Sequence, residues 1–232
     1  MSGQSDDFPT RLKFVQERIA AAAARSGRTP DAVTLIGVAK TISVDQIRSA
    51  VAAGLTDVGE NRVQEAEQAV AAVGRTAARW HLIGHLQGNK SGRALEGFDR
   101  IHTLDSVELG QTLSRKATER GRTIPALVQV NVSGEPTKHG VAPGGLVVML
   151  RQLEGSSGLE IDGLMSIGTP VERPEDARRE FARLRELRDE AERALGSRLP
   201  HLSMGMSDDF EVAVEEGSTF VRLGAALFGA RP

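Results

Sequence analysis

Apolar, strand-like segments alternate with stretches of helical periodicity along almost the whole chain, and this order constrains the fold more than any other feature. After a helical opening with Phe8, Leu12, Val15, Ile19 and Ala22 on one face, strand-like runs fall at Val33–Ala39, Leu55–Gly59, Trp80–Ile83, Arg100–Leu104 and Ala126–Val132. Three more follow, within Leu159–Ile167 and at His201–Met204 and Phe220–Leu223. Helix-start signals stand between them, among them Ser43-Val44-Asp45-Gln46, Asn61-Arg62-Val63-Gln64, Ser106 and Asp208-Asp209-Phe210-Glu211. The stretch Pro174–Leu195 reads as one long amphipathic helix with a solvated, charge-rich face. Strands separated by helices rather than by tight hairpins pair in parallel. Eight such units in 232 residues predict an α/β fold, a single (β/α)8 TIM-type barrel read as one domain over residues 1–232, with an open doubly wound sheet as the alternative.

Composition removes several function classes. A net charge of -2 and a pI near 6.2 argue against nucleic acid, which favours a basic face. One tryptophan, no tyrosine and 3% aromatic residues leave no stacking surface for single strands. No apolar run approaches the roughly 20 residues of a membrane span. Met1–Asp7 is polar and acidic, unlike a signal peptide. With no cysteine, disulfides and thiolate chemistry drop out, and a cytoplasmic address is expected.

In a barrel of this kind the functional face is built from the C-terminal strand ends. Lys40 ends the first apolar run, directly before a helix start. The chain has only five lysines among its 29 basic residues, so a lysine at such an interior position stands out. Burial lowers a lysine from its ordinary value of about 10.4, and the neutral amine attacks carbonyls to form a Schiff base. A solvated surface lysine is the plain alternative.

Gly205 and Gly224-Ala225 follow the seventh and eighth strands, where barrels often bind phosphate through backbone N–H groups, with Ser203 as a further donor. The glycines also read simply as turns. Arg222, at the end of the eighth strand, suits either an ion pair with Glu60 or another rim carboxylate, or a place beside a ring heteroatom. An arginine does not readily give up its proton, so it would keep a pyridine nitrogen unprotonated and weaken the ring as an electron sink. His81 and His85 have the spacing of helical metal ligands but lie on a strand-to-loop segment without a glutamate motif, and no metal site is expected there. Asp208 and Asp209 read as a helix cap. No Walker loop or Ser-His-Asp triad is evident.

Several long motifs, in order, then resemble the pyridoxal phosphate homeostasis protein family. They are Gly37-Val38-Ala39-Lys40-Thr41, Gly59-Glu60-Asn61-Arg62-Val63-Gln64-Glu65 and Trp80–Lys90, then Val130-Asn131-Val132 with Glu135, Lys138 and Gly140. The last two are Leu202–Ser207 and Val221–Gly229. The resemblance implies a barrel like the N-terminal domain of alanine racemase, with pyridoxal 5'-phosphate (PLP) as an internal aldimine on Lys40. It further implies that Arg222 faces the pyridine nitrogen, that Ser203 and the backbone at Gly224-Ala225 hold the phosphate, and that Asn61 lies near the ring; His81, Ser166 and Gly205 complete the expected cofactor-binding set. Ala39 stands where serine is common and Ala225 where threonine is frequent. The second change leaves backbone contacts to the phosphate but puts a side-chain one in doubt.

The expected role is a PLP carrier that buffers or delivers cofactor to apo-PLP enzymes and exchanges with amino acids, with no catalytic residue assigned. A PLP-dependent racemase of the related type needs a lysine and a tyrosine on opposite faces of the ring, and this chain has no tyrosine. It also has no residues to spare for the second domain that would bring one. A cofactor-free Schiff-base aldolase would use the same lysine without a phosphate rim. A purely structural or interaction protein leaves Lys40 and both glycine loops unexplained. Because a closed barrel needs no partner to complete its sheet, a monomer is expected.

Overall fold

Eight parallel strands close in sequence order, β1 against β8, in the computed structural model, which describes residues 7–229. The strands are β1 (Thr34–Val38), β2 (Asp57–Glu60), β3 (Arg79–Leu82), β4 (Arg100–Leu104), β5 (Ile124–Gln129), β6 (Leu159–Met165), β7 (His201–Ser203) and β8 (Phe220–Leu223). Closure runs through Leu35 opposite Val221 and Gly37 opposite Leu223. The open doubly wound sheet is thereby excluded. The polar run at Met1–Asp7 falls, apart from Asp7, outside the described residues.

Helix α1 (Phe8–Arg25) precedes the barrel, and α2 (Val44–Ala52), α3 (Val63–Val73), α4 (Ser91–Gly97) and α5 (Val107–Thr118) follow the first four strands. The rest are α6 (Leu146–Leu153), α7 (Arg178–Leu195), α8 (Phe210–Glu215) and α9 (Ala225–Phe228). The Ser43–Gln46 capping box forms as expected, and Ser106 accepts from the Leu109 N–H. Two other cap expectations fail. The α3 start has no side-chain cap. The Asp209 carboxylate turns back to accept from Met206 N at 2.6 Å instead of capping α8. Helix α6 is not foreseen either, although Leu146, Met149, Leu150 and Leu153 are buried at spacings of three and four.

Strand side chains alternate between two environments. Val58, Leu82, Val221 and Leu223 face outward into the main core beneath the helices. Ile36, Leu127, Met165 and Phe220 form a separate apolar cluster inside the barrel. Other inward positions carry Asp57, His81, His102, Ser203 and Arg222, all five buried. Polar groups taken out of water cost free energy unless hydrogen-bonded. The geometry of this interior network therefore decides what the barrel can hold.

Candidate cofactor site

Arg222 is held from two sides. One terminal nitrogen donates to Ser203 Oγ at 2.7 Å and the other to the Ser166 carbonyl at 2.8 Å. A guanidinium cannot accept, so Ser203 Oγ accepts here, and with both imidazoles neutral its single proton goes to its other neighbour, His102 Nδ1 at 2.9 Å. The His102 proton then sits on Nε2, facing His81 Nδ1 at 3.0 Å. His81 carries its own on Nε2, 2.9 Å from Asp57 Oδ1. Donors and acceptors assign these protons, and one arrangement satisfies the whole chain from Arg222 to Asp57.

The two ends differ in charge. Burial opposes ionisation of Asp57, but hydrogen bonds from His81 and from Arg79, at 2.8 and 2.7 Å, outweigh it and hold the carboxyl below the usual range. Burial, and then the neighbouring His81 and Arg222, keeps His102 well below the ordinary imidazole value. Burial also lowers Arg222 to about 10, still a cation at neutral pH. No carboxylate among the described residues lies within ion-pair distance of its guanidinium, so the pairing with Glu60 is excluded. Two of its five N–H donors have protein acceptors. A buried cation with donors to spare suits an acceptor such as a ring nitrogen.

Lys40 rises from the strand beside β8. It sits in a tight turn closed by Ile42 N to Ala39 O at 2.8 Å, and Ala39 N is bound to Gly59 O at 2.9 Å. Thr41 has φ +66°, the only positive φ outside glycine among the described residues. A β-branched residue in that region is strained, and such strain collects at functional sites. The side chain of Lys40 is exposed. The expected burial of this amine is therefore a correction: Lys40 is open to solvent.

The loops after β7 and β8 are stitched together at the same rim. Arg222 N donates to Gly205 O at 3.1 Å. Gly205 has φ +93°, and an added Cβ would lie 2.5 Å from Ala213 Cβ and 3.1 Å from Phe210 Cα. Ser207 Oγ accepts from Gly224 N at 3.3 Å and Ala226 N at 3.2 Å. Ser207 is the residue that sequence reasoning passed over. Ser203, expected as the side-chain donor to phosphate, is fully buried with its proton committed to His102. Ser207 is the hydroxyl that lies at the backbone N–H groups of Gly224 and Ala226. The signal was its place at the end of the Leu202–Ser207 motif.

The remaining expected residues take varied positions. Ser166 is buried and engages Arg222 through its carbonyl. Asn61 is half-buried just after β2. His81 lies inside the barrel with both ring nitrogens engaged, and reaches Arg222 only through His102 and Ser203. It does not converge with His85, which lies on the exposed rim. Beside Asn61, Glu60 is 1% exposed with Oε2 unpartnered. Burial, and then Glu65, pushes its carboxyl up to about 7.

Sequence and structure comparisons bear on the family and the barrel fold. The family model for the alanine racemase N-terminal domain matches residues 12–232. A pyridoxal phosphate homeostasis protein of Aquifex aeolicus is 43% identical, covering 95% of this chain and 97% of the relative. Another of Pseudomonas aeruginosa is 42% identical over 94% and 93%. This chain belongs to the pyridoxal phosphate homeostasis protein family. The solved structure of PipY of Synechococcus elongatus with PLP bound, 39% identical, superimposes with a TM-score of 0.81 over 93% of this chain and all of that one. An alanine racemase of Clostridium difficile, at 15% identity and a TM-score of 0.73, shares the barrel with this family over 57% of its own length.

Proposed function

We propose that this chain binds PLP in the cytoplasm, attaches it covalently through Lys40 Nζ, and buffers or delivers it without committed turnover. The observation that carries the reading is the buried Arg222 guanidinium, held by Ser203 and Ser166 and lacking a carboxylate, on the strand next to Lys40. PLP, when bound, supplies an aldehyde carbon that amines capture. Arg222 holds the pyridine nitrogen unprotonated, which disfavours carbanion chemistry on the ring. Backbone groups at Gly224 and Ala225, shaped by Gly205 and Ser207, hold the phosphate. Asn61 borders the ring, and the interior chain behind Ser203 fixes Arg222.

Family membership and the PLP-bound PipY structure support the cofactor assignment. The exposed Lys40 supports the carrier role, since an amine open to solvent also admits the amines of amino acids or of an apo-enzyme that take the cofactor onward. The expected monomer belongs to the same reading.

The test is the visible absorption of the purified protein and of Lys40→Ala, each reduced with borohydride and mapped by peptide mass. A yellow wild type whose adduct maps to Lys40, with none in the variant, is the expected result. Wild-type protein that takes up no added PLP would overturn the cofactor reading. A turnover number of about 1–1000 per second for any amino acid would overturn the carrier role.

A further inference from the structure

Three loops at the C-terminal rim bring His85, Asp105 and His139 together. His85 Nδ1 lies 3.1 Å and His139 Nδ1 3.9 Å from the same oxygen, Asp105 Oδ2. The potential ligand atoms all fall within 4.8 Å of one another. We propose that this cluster is a divalent transition-metal site, with zinc as its best-matched ion. The proposal rests on no part of the cofactor reading.

Two imidazoles and a carboxylate form a ligand set that zinc accepts, leaving one position for water. The set suits calcium and magnesium poorly, since those ions prefer oxygen alone. Metal–ligand bonds of about 2.0–2.2 Å in a tetrahedral arrangement put donor atoms roughly 3.4 Å apart. His85 and Asp105 are already near that separation. His139 must close by about 0.5 Å on the same geometry. The two rings are stacked, with centroids 4.1 Å apart and planes at 11°. Metal–nitrogen bonds lie near the ring plane, so one ring must turn out of the stack. The His139 side chain, 60% exposed, has the room, while Asp105 is 12% exposed and stays as the anchor.

The backbones carrying these groups are fixed from below. Buried Thr103 donates to Gly84 O at 2.8 Å, directly before His85. Buried Gln129 donates to His139 O at 3.1 Å. Asp105 immediately precedes Ser106, whose hydroxyl caps α5. Strand-end anchors of this kind preorganise ligands that would otherwise sit on independent loops. Attribution is also clean. The chain has five histidines and no cysteine. Of the other three histidines, His81 and His102 are locked inside the barrel, and His201 lies on β7 beside Asp162 at 3.8 Å.

The test is calorimetric titration of the full chain with zinc chloride after stripping with a chelator, for the wild type and for His85→Ala, Asp105→Asn, His139→Ala and His201→Ala. The wild type takes up a single equivalent and melts at a higher temperature with zinc. Each of the first three changes weakens binding by at least about tenfold, the scale on which even outer-shell partners act. His201→Ala leaves it unchanged. Equal melting temperatures for wild type and His139→Ala in chelator show that loss of binding is not loss of fold. No uptake by the wild type, or uptake that survives both Asp105→Asn and His139→Ala, would overturn the proposal.

Discussion

Arg222 donates to Ser203 Oγ at 2.7 Å, and this bond is the first link of a hydrogen-bonded chain through the barrel interior. With both imidazoles neutral, Ser203 turns its own hydrogen toward His102, the next proton sits on His102 Nε2 and the last on His81 Nε2, against Asp57. The guanidinium at the cofactor rim is thus joined, hydrogen bond by hydrogen bond, to a carboxylate secured by Arg79 at the far end of the strands.

Ser203→Ala replaces the shared hydroxyl with a methyl and leaves one Arg222 donor and His102 Nδ1 unsatisfied. Stranding buried partners costs about 1–3 kcal/mol. The denaturant midpoint should fall with the m-value unchanged. Retention of PLP should weaken as well, because the guanidinium loses one of its two fixed contacts. A variant of wild-type stability would show that Ser203 does not organise the network.

Glu60 gives the fold a specific pH dependence. Its carboxyl is pushed up to about 7 by burial and then by Glu65, against about 4.3 in an unfolded chain. Between those values the folded chain keeps a proton that the unfolded chain has lost. This contribution is complete below the unfolded value and disappears as pH rises through about 7, for a ceiling of about 4 kcal/mol. Glu60→Gln keeps an acceptor for the Asn61 N–H and removes the ionisation. Melting curves from about pH 5 to about pH 9 should show the variant gaining on the wild type as pH rises. Parallel curves would mean that Glu60 does not titrate there. Asp57, held low by its partners, acts in the opposite sense and only in acid, so it leaves this window flat.

The barrel was legible because its signals are local and repeated. Period and capping marked every strand, and the Ser43 and Ser106 caps formed where the sequence placed them. Helix α6 was missed because Leu146-Val147-Val148-Met149-Leu150 reads equally well as a buried strand, although its burial follows helical spacing. β5 ends at Gln129 rather than Val132, because Asn131 folds its side chain back onto the carbonyls of Glu135 and Lys138. Lys40 and Arg222 could be picked out as strand-end residues. The link between Asp57, His81, His102 and Ser203 could not, because it depends on which inward positions of four strands fall side by side. The left-handed turn at Thr41, next to the exposed Lys40, was hidden for a related reason: threonine's own preferences disfavour that conformation.

Gly205→Ala should be among the more damaging single-methyl changes. The residue combines φ +93° with a Cβ position 2.5 Å from Ala213 Cβ, so backbone strain and overpacking add. Together they cost about 3 kcal/mol or more. Gly121→Ala is the control, with φ +61° but nothing within 4 Å of its Cβ position, and should lose only the backbone part, about 1 kcal/mol. Equal losses in the two variants, measured by chemical denaturation, would rule out a close-packed β7–α8 corner.

Thr41→Gly should behave unlike an ordinary threonine-to-glycine change. Threonine at φ +66° pays about 1–2 kcal/mol for a left-handed backbone. Glycine removes that strain but adds about 0.5–1 kcal/mol of unfolded-chain entropy. The two nearly cancel, so stability should stay level or rise slightly. The turn that presents Lys40 should loosen, however, and bound PLP should pass faster to an added amine, followed as the rate of loss of the visible band. Destabilisation by more than about 1 kcal/mol would mean that the threonine side chain secures the turn. An unchanged transfer rate would mean that the strain plays no part in holding the lysine.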